Sequence, residues 1–564
     1  MEKILNHNWR AISKIAVVLI ILAIVIIGAV AAYFYLYSAP PPAAPPVERL
    51  LRVSFANVPY LDPAVGSDEA STVYLVNVYD TLVYPLANGT LVPHVAERWD
   101  VSPDGLIWTF YLRKDVKFHS GRNLTAYDVD FSLRRLLTIG EGYAYLLIPY
   151  VDLDKTKVIN NYTIQIALKK PFGPFLYTLL RLYIVDSELV KANIKKPGPY
   201  GDMGDYGRDW LMSGFADAGS GPYKLAEYKR GESVTLVKFD KYWGKFAPNA
   251  PDKVIMLGIT EPTTIRTLIA NRELEITDQW QPLENLEAMS KIKGVNLSKL
   301  PVPYEFYLMI NTKKPPTDDI HVRKAMALAF DYDSAIRDIN PYEKRAYGVV
   351  PSTLIGYWHP DKPLSRNVTA AIEELKKSKY WGKLDQYPID FWWIAEVPWE
   401  ERVALLFKSN MEEIGLKVNV IKQPWLSVVE ALTKFETSPH IVSIFVATDY
   451  PEAGSMLVNR YHSKSQGTWQ QNEWLNSTII DQMIEDALST LDLNARIQKY
   501  IEIQKYIFNL YPSIFLYEHV TVRAYQAYYV DFPAARGEVP LMLGYELDFR
   551  WIQVYPEKKA QPPS

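Results

Sequence analysis

The feature that most constrains this chain is a run without any charged side chain at positions 15–37. As an α-helix rising 1.5 Å per residue, this run would span roughly 34 Å, which is enough to cross a bilayer. Lys3, Arg10 and Lys14 precede the run, and the next basic residue is Arg49. The positive-inside rule therefore predicts residues 1–14 in the cytoplasm, a single transmembrane helix at 15–37, and the rest of the chain on the extracytoplasmic side of the cell membrane.

The residues that follow this run predict a globular body attached to the membrane helix by a linker. Four aromatic residues would form a belt at the outer interface: Tyr33, Phe34, Tyr35 and Tyr37. Positions 38–49 are rich in proline, which predicts an extended polyproline II linker. A cleaved secretory signal is the alternative, although no Ala-x-Ala site follows the run directly. Arg10-Ala11-Ile12 is similar to the cleavage context of pilin-type signals on some archaeal binding proteins, and cleavage there would leave the helix attached.

Composition narrows the function classes. The net charge of -3 argues against a nucleic-acid binder, which needs a basic face. There is no cysteine, so disulfides, thiolate metal sites and cysteine nucleophiles are excluded. The chain lacks a Gly-x-Ser-x-Gly elbow, a His-Glu-x-x-His motif and a P-loop, so we expect no enzyme, no metal site and no cofactor. All N-glycosylation sequons follow the apolar run, which predicts an extracellular glycoprotein: Asn88, Asn123, Asn161, Asn296, Asn367 and Asn476.

From residue 50 onwards, alternating segments typical of strands are mixed with amphipathic segments typical of helices. Strands are predicted at 52–55, 108–112, 160–168 and 418–421, with a hairpin at 223–239. Helices are predicted at 125–137, 322–330, 400–414, 479–491 and 497–510. Thr125 is the expected N-cap of the first of these helices, with Asp128 three residues on. The mixture indicates an α/β protein of two or more lobes.

Ordered motifs along the body carry a family resemblance. The N-terminal half has Leu-Asp-Pro at 61–63, Leu-Val-Pro-His-Val-Ala-Glu-Arg-Trp at 91–99, Ser-Pro-Asp-Gly at 102–105 and Leu-Arg-Lys-Asp-Val-Lys-Phe at 112–118. Later come Ser-Gly-Pro-Tyr at 220–223, His-Val-Arg-Lys-Ala-Met at 321–326 and Ile-Gly-Leu-Lys-Val at 414–418. In this order the motifs resemble the family 5 solute-binding proteins of ABC importers, the oligopeptide- and dipeptide-binding type, with a likeness to archaeal members.

The resemblance implies a two-lobed periplasmic-binding-protein-like fold of type II with an extra subdomain. Carried onto this chain, lobe I comprises 50–70, 215–302 and 520–555, with an inserted subdomain at 71–214, and lobe II comprises 303–519. Hinge crossings are expected near 301–303 and 515–517. The implied function is capture of peptides in a cleft that closes by hinge bending, followed by delivery to ABC permease subunits in the membrane, by a protein expected to be a monomer.

Ligand-binding residues are also implied by the resemblance. Asp449, with Tyr450 beside it, matches the family's Ala-Asp-Tyr segment, whose aspartate pairs with the peptide ammonium; a turn aspartate before Pro451 is the alternative. The other residues expected at the cleft are Gly66, Ser67, Asp68, Tyr143, Tyr145, Gln279, Trp280, Trp469 and Tyr517. The family's best-known oligopeptide binder has an arginine and a tryptophan shortly before the aspartate. Here residues 443–446 contain neither, which puts that route to a ligand carboxylate in doubt.

Three alternatives to a peptide importer stay open. The 15 Trp and the departure at 443–446 favour an oligosaccharide-binding protein of the same fold. A ligand-binding receptor or sensor would share every feature of the body. An unrecognised hydrolase is a further alternative.

Overall fold

The structure is a computed structural model that describes residues 2–38, 48–55, 57–397 and 399–561. In the first helix, the described side chains are those of residues 13–35. The chain divides into two compact units, Met1–Glu48 and Arg49–Ser564. The predicted proline-rich linker falls almost entirely outside the described residues.

Helix α1 (Glu2–Ser38) contains the predicted apolar run. Its segment Ser13–Tyr35 is long and apolar enough to cross a membrane, with a mean hydropathy of 3.3. None of this segment is buried inside the protein, so its Ile, Leu and Val side chains are exposed. Such a helix, apolar on every face, is typical of a membrane span or of a signal sequence.

The body alternates short strands and helices. Its strands are β1 (Leu50–Phe55), β2 (Val83–Pro85), β3 (Leu91–Pro93), β4 (Ala96–Val101), β5 (Ile107–Leu112), β6 (Val151–Asn160), β7 (Thr163–Leu168), β8 (Tyr223–Lys229), β9 (Ser233–Lys238), β10 (Lys253–Gly258), β11 (Asn296–Ile310), β12 (Lys344–Arg345), β13 (Ile389–Ile394), β14 (Val418–Gln423), β15 (Ile441–Ala447), β16 (Ser513–Tyr525), β17 (Val530–Asp531) and β18 (Gln553–Val554). Its α-helices are α2 (Glu69–Val78), α3 (Ala126–Ile139), α4 (Phe175–Thr178), α5 (Ser187–Ala192), α6 (Arg208–Ser213), α7 (Pro262–Ala270), α8 (Leu283–Ser290), α9 (Ile320–Ala329), α10 (Tyr332–Ser334), α11 (Val368–Leu375), α12 (Glu400–Glu413), α13 (Trp425–Ala431), α14 (Ala453–Tyr461), α15 (Thr478–Ser489), α16 (Leu493–Phe508) and α17 (Pro556–Lys559).

Three sheets organise the body. Sheet A has the order β1-β10-β9-β8, with β1 and β10 parallel. Sheet B has the order β12-β16-β11-β15-β13-β14, with β13 parallel to both of its neighbours. Sheet C, β4-β5-β7-β6, is antiparallel throughout. Mixed sheets with helices between their strands are the α/β class that the sequence predicts.

Two long strands connect the region of sheet A with sheet B. β11 and β16 pair from Asn296 opposite Tyr525 to Met309 opposite Ser513, and Tyr525 is bridged through Ile276 towards β1. The ladder is irregular between Pro301 and Glu305, where two prolines remove backbone donors. This irregularity coincides with the first predicted hinge crossing, although the exact lobe boundaries stay predictions.

Local sequence signals account for where α3 begins and ends. α3 starts after Thr125, and the Asp128 carboxylate accepts from the Thr125 backbone N–H at 2.8 Å. This reciprocal arrangement is the capping box that the sequence predicts. α3 also ends at a left-handed glycine, Gly140, with φ of 73°. The helix therefore lies within two residues of its predicted bounds.

Candidate functional site

Asp449 follows the end of β15, an internal strand of sheet B. It lies two residues after β15, and β15 pairs with β11 so that Ala447 is opposite Tyr304. The Thr448 backbone N–H donates to the Pro303 carbonyl at 3.2 Å. Asp449 is therefore held beside the irregular stretch where β11 and β16 lose their regular pairing.

The Asp449 carboxylate connects two distant parts of the chain. The Tyr145 hydroxyl donates to Oδ1, although these residues are 304 positions apart. Asn459 Nδ2 donates to Oδ2 at 2.8 Å, and the Asp449 backbone N–H donates to Ser455 Oγ at 3.0 Å. Tyr145 comes from the predicted inserted subdomain and Asp449 from predicted lobe II, so this contact spans the predicted cleft.

The Asp449 carboxylate has neutral hydrogen-bond donors but no cationic partner among the described residues. Burial raises its pKa above the ordinary aspartate value, while the hydrogen bonds from Tyr145 and Asn459 and the charge of Arg181 oppose that rise. The group is partly buried and Tyr145 is 46% exposed. An aspartate in this state gains from an added cation, because a positive charge offsets the cost of desolvation.

The loop before α2 lies next to Tyr143. Asp68 is the N-cap of α2, and its Oδ1 accepts from the Ser71 backbone N–H at 3.0 Å. The Ser67 carbonyl accepts from the Tyr143 hydroxyl at 3.2 Å, and Ser67 is exposed. Gly66 packs closely, since a Cβ there would lie 3.0 Å from the Ser71 Cβ. Asp68 thus serves helix capping, whereas Ser67 keeps an exposed side chain.

Gln279 and Trp280 have different environments. Gln279 donates from Nε2 to Glu69 at 2.8 Å and accepts from the Thr521 hydroxyl at 2.9 Å, so both ends of its amide are occupied. Trp280 is 52% exposed, and its ring stacks on His519 with centroids 6.0 Å apart. Trp280 therefore offers an open aromatic face at the site.

The remaining predicted residues are engaged in packing. Tyr450 is 4% exposed and meets Phe172 edge-on. Tyr517 is fully buried, with its hydroxyl donating to the Ala335 carbonyl at 2.8 Å. Trp469 is partly buried against Trp425. In this structure, Tyr450 and Tyr517 present no surface to a ligand.

Sequence reasoning missed several residues around Asp449. Tyr304 stacks on His519 with centroids 5.9 Å apart, and Phe445 lies 5.0 Å from the same imidazole. Arg181, whose charge acts on Asp449, comes from the 3-10 helix Leu179–Arg181. An arginine inside the apolar run Leu-Leu-Arg-Leu is a signal that could have marked it. For Tyr304, the only signal in the sequence was its position next to the predicted hinge crossing at 301–303.

We also searched the part of the chain that the structure describes for clusters of metal-ligating side chains. No group of three or more His, Asp or Glu side chains there could hold a metal ion. The Asp449 neighbourhood instead combines carboxylate, amide, hydroxyl and aromatic groups. Such groups bind organic ligands by hydrogen bonding, ion pairing and stacking.

Comparison with known proteins identifies the family of this chain. The model of bacterial extracellular solute-binding proteins, family 5 middle, matches residues 90–468, which is more than half of the chain. A dipeptide-binding protein of Escherichia coli K12 is 25% identical over 496 residues, covering 82% of this chain and 87% of the relative. The periplasmic oligopeptide-binding protein of the same organism is 24% identical over 503 residues, covering 84% of this chain and 88% of the relative.

A solved structure shares the fold. An ABC transporter-associated periplasmic binding protein from Helicobacter pylori, in complex with the peptide STSA, superposes with a TM-score of 0.74 at 22% identity, covering 90% of this chain and 98% of that protein. The predicted two-lobed α/β binding-protein fold is thereby confirmed. The family match over residues 90–468 establishes that the chain belongs to the family 5 extracellular solute-binding proteins.

Proposed function

We propose that this protein captures short peptides outside the cytoplasm and delivers them to the permease of an ABC importer. The relatives named above bind dipeptides and oligopeptides, which supports a peptide ligand. The observation that carries the proposal is the Asp449 carboxylate, which lies where the predicted subdomain meets predicted lobe II and has no cationic partner in the part of the chain that the structure describes. In this assignment the cleft binds a ligand without catalysing a reaction.

The α-ammonium of a peptide fits the Asp449 carboxylate. The ligand cation supplies the positive charge that this carboxylate lacks, and it displaces no existing ion pair. Tyr145 and Asn459 keep the two carboxylate oxygens in place from opposite sides. Asp449 in predicted lobe II and Tyr145 in the predicted subdomain would both face the ligand, so its binding favours closure of the cleft.

Replacement of Asp449 by asparagine tests this assignment. Asp449→Asn keeps the size of the side chain but removes its charge, and leaves a ligand ammonium without a counter-ion. We expect a loss of about 3 kcal/mol, or about 150-fold in Kd, for a free dipeptide. Isothermal titration calorimetry on the full-length protein in detergent micelles measures this loss.

A matched variant controls for charge alone. Asp202→Asn removes a carboxylate that is exposed and has no hydrogen bond from another residue in the structure. Its Kd should stay within twofold of the wild-type value. If Asp449→Asn also stays within twofold, Asp449 does not bind the ammonium.

Native mass spectrometry identifies the class of ligand. A series of co-purified peptides is the expected result. The half-exposed ring of Trp280 beside His519 also suits a sugar ring, which keeps an oligosaccharide as the second candidate. A series of hexose masses would select the oligosaccharide and overturn the peptide assignment.

We further propose that α1 anchors the protein in the membrane as a single pass. Its segment Ser13–Tyr35 has the length and hydropathy for this role, and basic residues precede it. The intact mass of membrane-extracted protein separates an anchor from a cleaved signal, since cleavage removes the whole segment. Light scattering of the same sample tests the expected monomer.

The six sequon asparagines are all exposed on the body, which would let each carry a glycan: Asn88, Asn123, Asn161, Asn296, Asn367 and Asn476. Their occupancy stays a prediction. Glycopeptide mass spectrometry of native material would show which sites are modified.

A further inference from the structure

Arg181 is a buried cation with free hydrogen-bond donors. Its side chain is 1% exposed. Nη1 donates to the Leu543 carbonyl at 3.0 Å and meets the Tyr183 hydroxyl at 3.5 Å. No described residue accepts a hydrogen bond from Nε or Nη2. A guanidinium in this state bears the cost of desolvation without full compensation.

The other arginines buried to the same degree each have a carboxylate. Arg135 pairs with Asp62 at 2.5 Å, Arg523 pairs with Glu69 at 2.7 Å, and Arg460 pairs with Glu473. No Asp or Glu among the described residues forms an ion pair with Arg181. Its nearest ring, Tyr143, lies 4.8 Å from the guanidinium carbon and supplies only a cation–π contact. Among these four most deeply buried arginines, Arg181 is therefore the one for which the described residues provide no counter-ion.

The free donors have the geometry that a carboxylate needs. Nε–H and Nη2–H lie along one edge of the planar guanidinium and point in the same direction. This edge matches the two oxygens of a carboxylate in a bidentate pair. The occupied atom, Nη1, lies outside this edge, so its bond to Leu543 does not have to break.

Arg181 lies close to Asp449 without pairing with it. Arg181 covers the ring of Tyr143, while Tyr145 donates to Asp449, and both tyrosines belong to the 3-10 helix Gly142–Leu146. The charge of Arg181 is near enough to lower the pKa of Asp449 against the rise that burial causes. A cation and an anion thus flank one short helix, and neither has an oppositely charged partner among the described residues.

We propose that Arg181 binds the free carboxylate of the ligand while Asp449 binds its ammonium, so that the site selects short peptides with both termini free. This inference rests on the proposed peptide function and adds the residue that recognises the second terminus. It also replaces the arginine that is missing from residues 443–446. The free edge is enclosed in this structure, so the ligand reaches it through a rearrangement of the surrounding side chains as the cleft opens and closes.

C-terminal amidation of the ligand tests the inference directly. The probes are an equimolar library of X-Leu dipeptides and the same library as C-terminal amides, titrated against the full-length protein in micelles. The wild type should bind the free acids at least 30-fold more tightly than the amides. Arg181→Gln should weaken binding of the acids at least 30-fold and leave the amides within threefold.

The outcomes separate this inference from the proposed function. If no member of either library binds the wild type, the proposed peptide function and the role of Arg181 are both contradicted. If acids and amides bind the wild type equally, peptide binding stands and the role of Arg181 is wrong. If Arg181→Gln weakens acids and amides by the same factor, Arg181 is structural only.

Two further variants of Arg181 test the inference if Arg181→Gln does not fold. Arg181→Lys keeps the charge but loses the two-donor edge, so the preference for acids over amides should shrink about tenfold without disappearing. The melting temperature of ligand-free Arg181→Met should equal or exceed that of the wild type, because it removes an unpaired buried charge. Arg135→Met is its matched control and should melt lower, since it leaves Asp62 unpaired. A large drop for Arg181→Met would overturn the view that its charge lacks a partner.

Discussion

The buried pair of Asp62 and Arg135 gives the sharpest stability prediction. Asp62 is the aspartate of the Leu-Asp-Pro motif, and Arg135 belongs to α3. Their contact is bidentate, with Nη1 to Oδ1 at 2.6 Å and Nη2 to Oδ2 at 2.5 Å. Both side chains are at most 1% exposed. Removal of one partner leaves a buried charge unpaired, which costs about 3–5 kcal/mol.

The expected shift in melting temperature follows from the size of the body. An unfolding entropy of roughly 2.1 cal/mol/K per residue over about 500 residues gives about 1 kcal/mol for each degree. Asp62→Asn should therefore lower the melting temperature of the full-length protein by about 3–5 °C, if the body unfolds as one unit. Differential scanning calorimetry in detergent measures the shift.

Asp130→Asn is the matched control. Asp130 also belongs to α3, and its carboxylate pairs with Arg134 one turn later on a surface where both side chains are partly exposed. Exposed pairs contribute about 0–1 kcal/mol, so the control should shift by about 1 °C or less. A shift for Asp62→Asn no larger than the control, or an additive effect when both partners are replaced, would refute the reasoning.

Two further predictions concern carboxyl groups. Burial raises the pKa of Glu400 to about 8, with Ser443 donating to it at 2.7 Å. Because the folded state holds this proton more tightly than the unfolded state, the free energy of unfolding should fall as the pH rises from about 4.5 to about 8. In melting curves measured across this pH range, Glu400→Gln should flatten the slope. The control Glu401→Gln, at an exposed position, should leave the slope unchanged. Tyr145→Phe removes a donor from Asp449 and should weaken dipeptide binding about fivefold to tenfold by calorimetry, and an unchanged Kd would contradict its role.

Local sequence signals predicted the elements of the body well. Thr125 and Asp128 act within one turn of helix, so their capping box could be predicted without knowledge of the rest of the fold. α12, found at Glu400–Glu413, was predicted at 400–414 from its amphipathic pattern. Such signals depend on neighbours a few residues away, which the sequence contains in full.

The site could be predicted only in part, because it is made by long-range contacts. Asp449 and Tyr145 were each predicted as cleft residues, but nothing in the sequence shows that they touch across 304 positions. Tyr517 was predicted to contact the ligand, yet its ring packs against Phe306 and Trp399 and is fully buried. The apolar neighbours of Arg181 could have marked it as a buried arginine, but the lack of a carboxylate partner leaves no local pattern in the sequence.

Burial affects the charge of an acidic side chain and of an arginine differently in this protein. Burial and the neighbouring charge of Glu518 raise the pKa of Glu305 well above its usual range, which favours the uncharged form of this acid, whose carboxyl oxygens have no hydrogen-bond partner among the described residues. An arginine has no such escape, since its guanidinium stays charged at any physiological pH. The described residues offer no carboxylate that would offset the charge of Arg181, so the proposed ligand carboxylate would supply the missing negative charge. A zwitterion placed between Arg181 and Asp449 would offset both charges at once, which is why a ligand with two free termini fits this site better than a neutral one.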